Sequence, residues 1–235
     1  MTKIAVITGI GAQLSESLAK KLLTDDYIVI GLSRHAATVN NEIQQHSHFA
    51  HYPCDIGDPQ AVEAVFNRIR SEYGHPSLLI HNAAQLLLAD FMTLTPDDFE
   101  QLWRTCCLGA VNTAQQVIPA MLNMGKTENK ATIIFTGATA STKAGAQSAA
   151  FASAKFGLRG LAQSLARAYQ AQGIHIIHTV IDGVIWGKRA EEVFALRKEQ
   201  CMSADDISSS YLSLIEQAPS CWTHEIDLRP YGEKF

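Results

Sequence analysis

Short apolar runs and helix-period stripes alternate along the chain. Residues 3–8 form a β-branched apolar run, and 14–23 follow as a helix with Leu14, Leu18, Leu22 and Leu23 on one side. Further buried-strand runs are predicted at 27–32, 48–52, 77–81, 131–135 and 174–181, with a last short strand at 224–228. Asp58-Pro59 and Thr95-Pro96-Asp97-Asp98 read as helix starts, each an N-cap acceptor followed by proline in the first turn. The first opens a helix with Val62, Val65, Phe66 and Ile69 inward. The second opens one long helix over 96–124, with Phe99, Leu102, Trp103, Cys106, Ala110, Ala114, Val117 and Met121 inward. A second long helix, 148–171, has Ser148 as its expected cap and carries Phe151, Leu158, Leu161, Leu165 and Tyr169. Residues 184–202 are irregular and mix charges with Val193, Phe194 and Leu196, and Ser203-x-x-Asp206 caps one more helix.

Strands alternating with helices pair in parallel through right-handed crossovers. The expected architecture is one α/β domain over 1–235, a doubly wound Rossmann-type parallel sheet with helices on both faces. Ligands in such sheets bind beyond the carboxyl ends of the strands. Composition narrows the chemistry. The chain has 235 residues, 47% hydrophobic and 18% charged, and suits one well-filled domain. Nineteen basic against 23 acidic residues leave a formal charge of −4, which argues against nucleic acid or an anionic membrane as partner. No apolar run reaches a membrane span, the first residues do not form a signal segment, and five cysteines without a CxxC pair suggest reduced thiols in a cytoplasmic protein. His46, His48 and His51 alternate on one strand, but no acid or cysteine completes a metal set, so no metal is expected.

The strand ends carry the candidate chemistry. After the first strand stands Thr8-Gly9-Ile10-Gly11-Ala12-Gln13-Leu14-Ser15. A glycine turn leading into a helix lets backbone N–H groups and the helix dipole meet a pyrophosphate, although only Gly9 and Gly11 fit GxGxxG and Leu14 holds the third place. At the end of the second strand, Ser33 and Arg34 offer no carboxylate for a ribose 2′-hydroxyl, and the arginine suits a 2′-phosphate; this favours NADP over NAD. His81 closes the fourth strand and reads as a packing histidine beside the groove. Leu86-Leu87-Leu88 with Phe91 and Met92 would either face a cleft or pack beneath a loop.

Together these positions resemble the short-chain dehydrogenases/reductases. The resemblance runs over nearly the whole chain: the first glycine turn, Cys54-Asp55-Ile56, His81-Asn82-Ala83-Ala84 (usually Asn-Asn-Ala-Gly), Phe151-Ala152-Ser153-Ala154-Lys155 (usually Tyr-x-x-x-Lys) and Ile181-Asp182-Gly183 (usually a Pro-Gly pair). The resemblance implies that Asp55 and Ile56 flank an adenine, and that Asn82, Ala83 and Ala84 line the adenosine side. It implies that Lys155 binds the nicotinamide ribose, and that Gly183, Val184 and Ile185 hold the carboxamide. It also implies a homodimer or homotetramer built on the two long helices.

The departures are concentrated at the reacting end. The family's glycine positions 13 and 15 are Gln13 and Ser15, its serine is Ala138, its tyrosine Phe151 and its long-helix asparagine Cys106. Losing a general acid costs roughly 10²–10⁴ in rate, and losing an oxyanion donor roughly 10²–10³. Thr139, Ser141, Ser148 and Cys106 are the candidate substitutes nearby. The resulting expectation is an NAD(P)-dependent oxidoreductase acting on a small molecule through an altered site, its proton coming from water or substrate, with 184–202 as a substrate lid. The alternatives are a cofactor-binding sensor or assembly protein without turnover, and a protein that has lost the cofactor as well.

Overall fold

The computed structural model describes residues 3–124 and 131–232. Its elements are β1 (Lys3–Thr8), α1 (Leu14–Thr24), β2 (Tyr27–Ser33), the short α2 (Asn41–Gln44), β3 (Phe49–Pro53), α3 (Pro59–Glu72), β4 (Leu78–His81), α4 (Pro96–Trp103), α5 (Gly109–Met124), β5 (Ala131–Thr136), α6 (Ala149–Tyr169), β6 (Ile174–Ile181), the short α7 (Lys188–Glu192), α8 (Ala204–Ile215) and β7 (Glu225–Leu228). All seven strands lie in one parallel sheet, ordered β3-β2-β1-β4-β5-β6-β7. This is the doubly wound architecture expected from the alternation.

The sheet is apolar on both faces because helices cover both. β5 and β6 are buried at every position. Phe66 and Ile69 of α3, Val117 and Met121 of α5 and Leu158 of α6 fill one layer. Leu18 and Leu22 of α1 fill the other with Ile207, Tyr211 and Leu214 of α8. The chain winds outward from β1 through β2 to β3, then crosses back to β4 on the other side of β1. The crevice where strand order reverses therefore opens between the ends of β1 and β4, where Thr8 pairs with His81.

Several expectations need correction. The helix over 96–124 is interrupted by a π-helical turn, Arg104–Leu108, which changes the facing of everything before it. Trp103, placed inward by an unbroken 3.6-residue period, is consequently 42% exposed, while Cys106 and Cys107 are buried in the turn itself. Ser148 precedes α6 without capping it; its Oγ instead donates to the Gly145 carbonyl at 3.0 Å and accepts from the Gly145 N–H at 2.9 Å. The caps at Asp58, Thr95 and Ser203 form as predicted.

Two fully buried histidines sit near the carboxyl edge. His81 Nε2 faces the Cys106 carbonyl at 3.3 Å, which can only accept, so Nε2 carries the proton and Nδ1 accepts from Thr8 Oγ1 at 3.1 Å. His178 Nδ1 meets Glu225 Oε2 at 2.9 Å, and Arg159 holds the same carboxylate through two bonds of 2.7 and 2.6 Å. This chain ties β7 to β6 and α6. Burial holds both histidines neutral, His81 down to about 3 with the Lys155 charge adding to the effect, and His178 to about 4 despite Glu225. In the unfolded chain both protonate from about pH 6.5 downward. Unfolding therefore takes up protons, and stability is full above that pH and falls as pH drops toward 4, each histidine contributing up to about 1.4 kcal/mol per pH unit. Urea midpoints should fall between pH 7 and pH 5, while histidine ring shifts read by NMR show both rings still neutral at pH 5. A protonated His81 in the native protein at pH 5 would refute this.

Candidate functional site

The β1–α1 turn is built by close backbone approach. Gly9 has φ +70° and packs so tightly on the chain beyond β4 that a Cβ would lie 2.6 Å from Ala83 Cα. Its N–H bonds to the Leu32 carbonyl at 2.8 Å, fastening the turn to the end of β2. Ser15 turns its Oγ back into the loop, accepting from the Gly11 N–H and donating to the Gly11 carbonyl, both at 3.0 Å. Leu14 is buried and can offer only its backbone to a ligand. No side chain caps α1, so the positive end of its dipole lies open at the carboxyl edge.

Gln13 stands at the N-cap of α1 with φ 68° and ψ −122°, a combination that belongs to glycine at the first corner of a type II′ turn. A side chain held in such a region costs of order 1–3 kcal/mol. Its Nε2 donates to the Trp186 carbonyl at 3.0 Å, across to the segment that follows β6. That segment is closed at its base by the Ile185–Met202 bridge, with Trp186 N–H to Met202 O at 2.9 Å.

On the adenosine side, Ser33 Oγ donates to the His35 carbonyl and meets His51 Nε2, both at 2.8 Å, while Arg34 is exposed. Asp55 is exposed and accepts from the Gly57 N–H at 2.9 Å. Ile56 is buried against Gly109, and its carbonyl accepts from Asn112 at 2.9 Å. Asn82 is half-buried, Ala83 buried and Ala84 exposed. Ser33 ends β2, Arg34 follows it, Asp55 and Ile56 follow β3 and Asn82–Ala84 follow β4, strands that are neighbours in the sheet around β1.

At the other end, α6 carries Phe151 and Lys155 one turn apart. Lys155 is 2% exposed; its Nζ donates to the Thr136 carbonyl at 2.8 Å and lies 5.8 Å from the centre of the Phe151 ring. Burial pushes its ammonium pKa down, while the Cys106 and Cys107 thiols oppose the shift. Phe151 and Ala138 are neighbours on the wall of a cleft of about 840 Å³, which also takes in Gln13, Gly183, Val184 and Ile185. Leu86 and Leu88 line this cleft, whereas Phe91 and Met92 do not and are 60% and 85% exposed.

The nearby hydroxyls are already engaged. Ser141 Oγ accepts from the Ala138 N–H at 3.1 Å, Thr139 donates to Asp182 at 2.5 Å, and Ser148 is bonded to Gly145. Cys106 is buried, its Sγ 4.0 Å from the Gln85 carbonyl. Sequence reading assigned nothing to Asp182. It is buried, accepts from Thr139, and pairs with Arg229 at 3.3 Å and with Lys143 at 3.7 Å. The one available signal was an acid where the resemblance calls for proline.

The open α1 terminus and the close-packed glycine turn suit a dinucleotide. The Lys155 ammonium is buried and does not line the cleft, whereas Gln13 lines it and reaches across to Trp186.

Comparisons with known proteins agree with this geometry. Over 188 residues, 78% of this chain and 73% of the relative, the sequence is 28% identical to the 3-oxoacyl-[acyl-carrier-protein] reductase FabG of Salmonella typhimurium. A short-chain dehydrogenase from Rhodopseudomonas palustris superposes with a TM-score of 0.77 at 28% identity, covering 97% of this chain and 99% of that one. An alcohol dehydrogenase from the archaeon Thermococcus sibiricus, solved in complex with 5-hydroxy-NADP, shares the fold at a TM-score of 0.85 and 17% identity, covering 100% of this chain and 99% of the other. The family model for short chain dehydrogenase matches residues 3–192, and the chain belongs to that family.

Proposed function

We propose that this protein is an NADP-preferring oxidoreductase whose reacting site works without the family's serine and tyrosine, an atypical branch with Phe-x-x-x-Lys in place of Tyr-x-x-x-Lys. The observation that carries this reading is the buried Lys155 ammonium, held by the Thr136 carbonyl beside Phe151. An ammonium is costly to bury, and among the described residues one protein acceptor, the Thr136 carbonyl, serves its three N–H donors. It makes sense as a donor to the ribose hydroxyls of a nicotinamide nucleotide.

In this reading Gly9, Gly11, Gln13 and Leu14 present backbone to the diphosphate at the mouth of α1. Ser33 and exposed Arg34 meet the adenosine ribose and its 2′-phosphate, with NAD as the weaker ligand. Asp55, Ile56, Asn82, Ala83 and Ala84 border the adenosine. Gly183, Val184 and Ile185 offer backbone groups to the carboxamide. When bound, the dinucleotide supplies or accepts the hydride. That the archaeal alcohol dehydrogenase of the same fold holds an NADP derivative supports the choice of ligand.

The protein's own part is to bind, orient and exclude water. Ala138 and Phe151 give the reacting carbonyl an apolar wall and no proton, Thr139 and Ser148 donate their hydroxyl protons to Asp182 and Gly145, and Ser141 is fully buried and does not line the cleft. The proton therefore comes from water or from the substrate. Lys143, Arg189 and Arg197 against Glu199 give the cleft a positive excess beside apolar Leu86 and Leu88, which suits a small apolar carbonyl compound bearing a negative charge. Residues 184–202 act as its lid. The same absence of a donor favours a second reading, a dinucleotide-binding sensor or assembly protein without turnover. The protein is proposed to be cytoplasmic, and a homodimer or homotetramer joined along α4 and α6, where Trp103 and Phe156 are 42% and 44% exposed.

Three measurements test these statements. Lys155→Met should weaken NADPH binding by roughly tenfold or more in calorimetry, the loss of a charge-assisted bond, with the fold retained by circular dichroism; unchanged affinity would refute the lysine's role. Phe151→Tyr should raise the rate of NADPH oxidation with carboxylate-bearing carbonyls by about 10²-fold. No turnover in either form, with NADPH bound, would select the sensor. Light scattering should give at least twice the chain mass of 25.7 kDa, and a monomer would exclude the proposed pairing.

A further inference from the structure

Gln13 and Gly187 fit each other across 174 positions of sequence. A Cβ built on Gly187 would lie 1.9 Å from Gln13 Nε2, 2.8 Å from its Cδ and 3.2 Å from its Cγ. The amide therefore occupies the space that any side chain at 187 would need, and it is secured there by the bond to the Trp186 carbonyl. The backbone of Gln13 meanwhile holds a glycine conformation, φ 68° and ψ −122°. A strained residue persists only where its surroundings over-determine it, and the bond to Trp186 together with the notch at Gly187 supplies that constraint.

The location gives the contact a consequence. Gln13 belongs to the turn whose backbone faces the open end of α1, where an anionic group is favoured. Its side chain leaves that turn and spans to the base of 184–202. A diphosphate drawn to the α1 terminus would meet the same residue, so its arrival would compete with the bond that keeps the amide on Trp186.

We propose that Gln13 is a latch: its carboxamide, docked in the Gly187 notch, ties the β1–α1 turn to the 184–202 segment and must swing out before a dinucleotide diphosphate can settle. This rests on the proposed function only for the identity of the ligand. The latch makes Gln13 a determinant of cofactor affinity that acts by exclusion, and couples cofactor entry to release of the lid. The two residues form a matched set, since any larger residue at 187 would evict the amide.

The test uses the full chain, with NADPH as probe, in wild type, Gln13→Gly and Gly187→Ala. Gln13→Gly should tighten NADPH binding by roughly tenfold, the worth of one hydrogen bond no longer broken on entry. It should also raise amide hydrogen exchange across 184–202 in the free protein. Gly187→Ala, which displaces the amide without touching the turn, should raise the same exchange and tighten binding in the same direction. If wild type binds NADPH and Gln13→Gly binds it with unchanged affinity, the latch is wrong while the functional reading stands. Unchanged exchange in both variants would likewise refute the tie between turn and lid. If no form binds NADPH although all are folded, the functional reading fails and takes the gating role with it.

Discussion

The site is organised around one buried charge. An ammonium withdrawn from water needs an acceptor in place of its hydration, and Lys155 finds one in the Thr136 carbonyl at the end of β5. That bond ties α6 to the end of β5. It also fixes Phe151, one turn earlier, against the cleft wall. His81 accommodates the same charge by remaining neutral beneath it, bonded to Thr8 and to the Cys106 carbonyl. At this place the buried ammonium is thus surrounded by neutral polar groups.

The contrast between the two ends of the crevice follows from what each end must do. The adenosine side is made mostly of backbone, and backbone tolerates replacement of glycine by glutamine or serine if the turn itself survives; Gly9 against Ala83 shows that it does. The reacting side depends on particular side-chain protons. There the side chains of Ala138 and Phe151 present none, while the nearby polar groups are gathered on buried Asp182, with Thr139, Lys143 and Arg229. Binding and proton transfer have separable requirements, and on the proposed reading they diverge in this chain.

Much of this was legible in the linear sequence. Apolar runs bounded by polar turns place all seven strands, because a strand covered on both faces admits few polar residues. The caps at Asp58, Thr95 and Ser203 were readable for the same local reason. What periodicity missed were features that depend on distant partners. An extra residue wound into the turn at 104–108 rotates Trp103 outward, and no repeat in the sequence marks it. Ser148 satisfies Gly145 rather than the helix it precedes. Phe91 and Met92 lie outside the cleft that Leu86 and Leu88 enter. Gln13 was visible as a misplaced glycine, but its reach to Trp186 appears only once β6 has brought that segment back to β1.

The cleft wall also has a temporal side. Pro230, Tyr231 and Gly232 line it, and they follow every strand of the sheet, β7 itself being clamped by Glu225 to Arg159 and His178. The ribosome delivers the chain from its beginning, so the turn after β1 and the ends of β2 and β4 are synthesised well before the opposite wall, while a domain folds as a unit. On the proposed reading the nucleotide half of the crevice is therefore synthesised first, and the half that would meet a reactant is enclosed only when β7 docks.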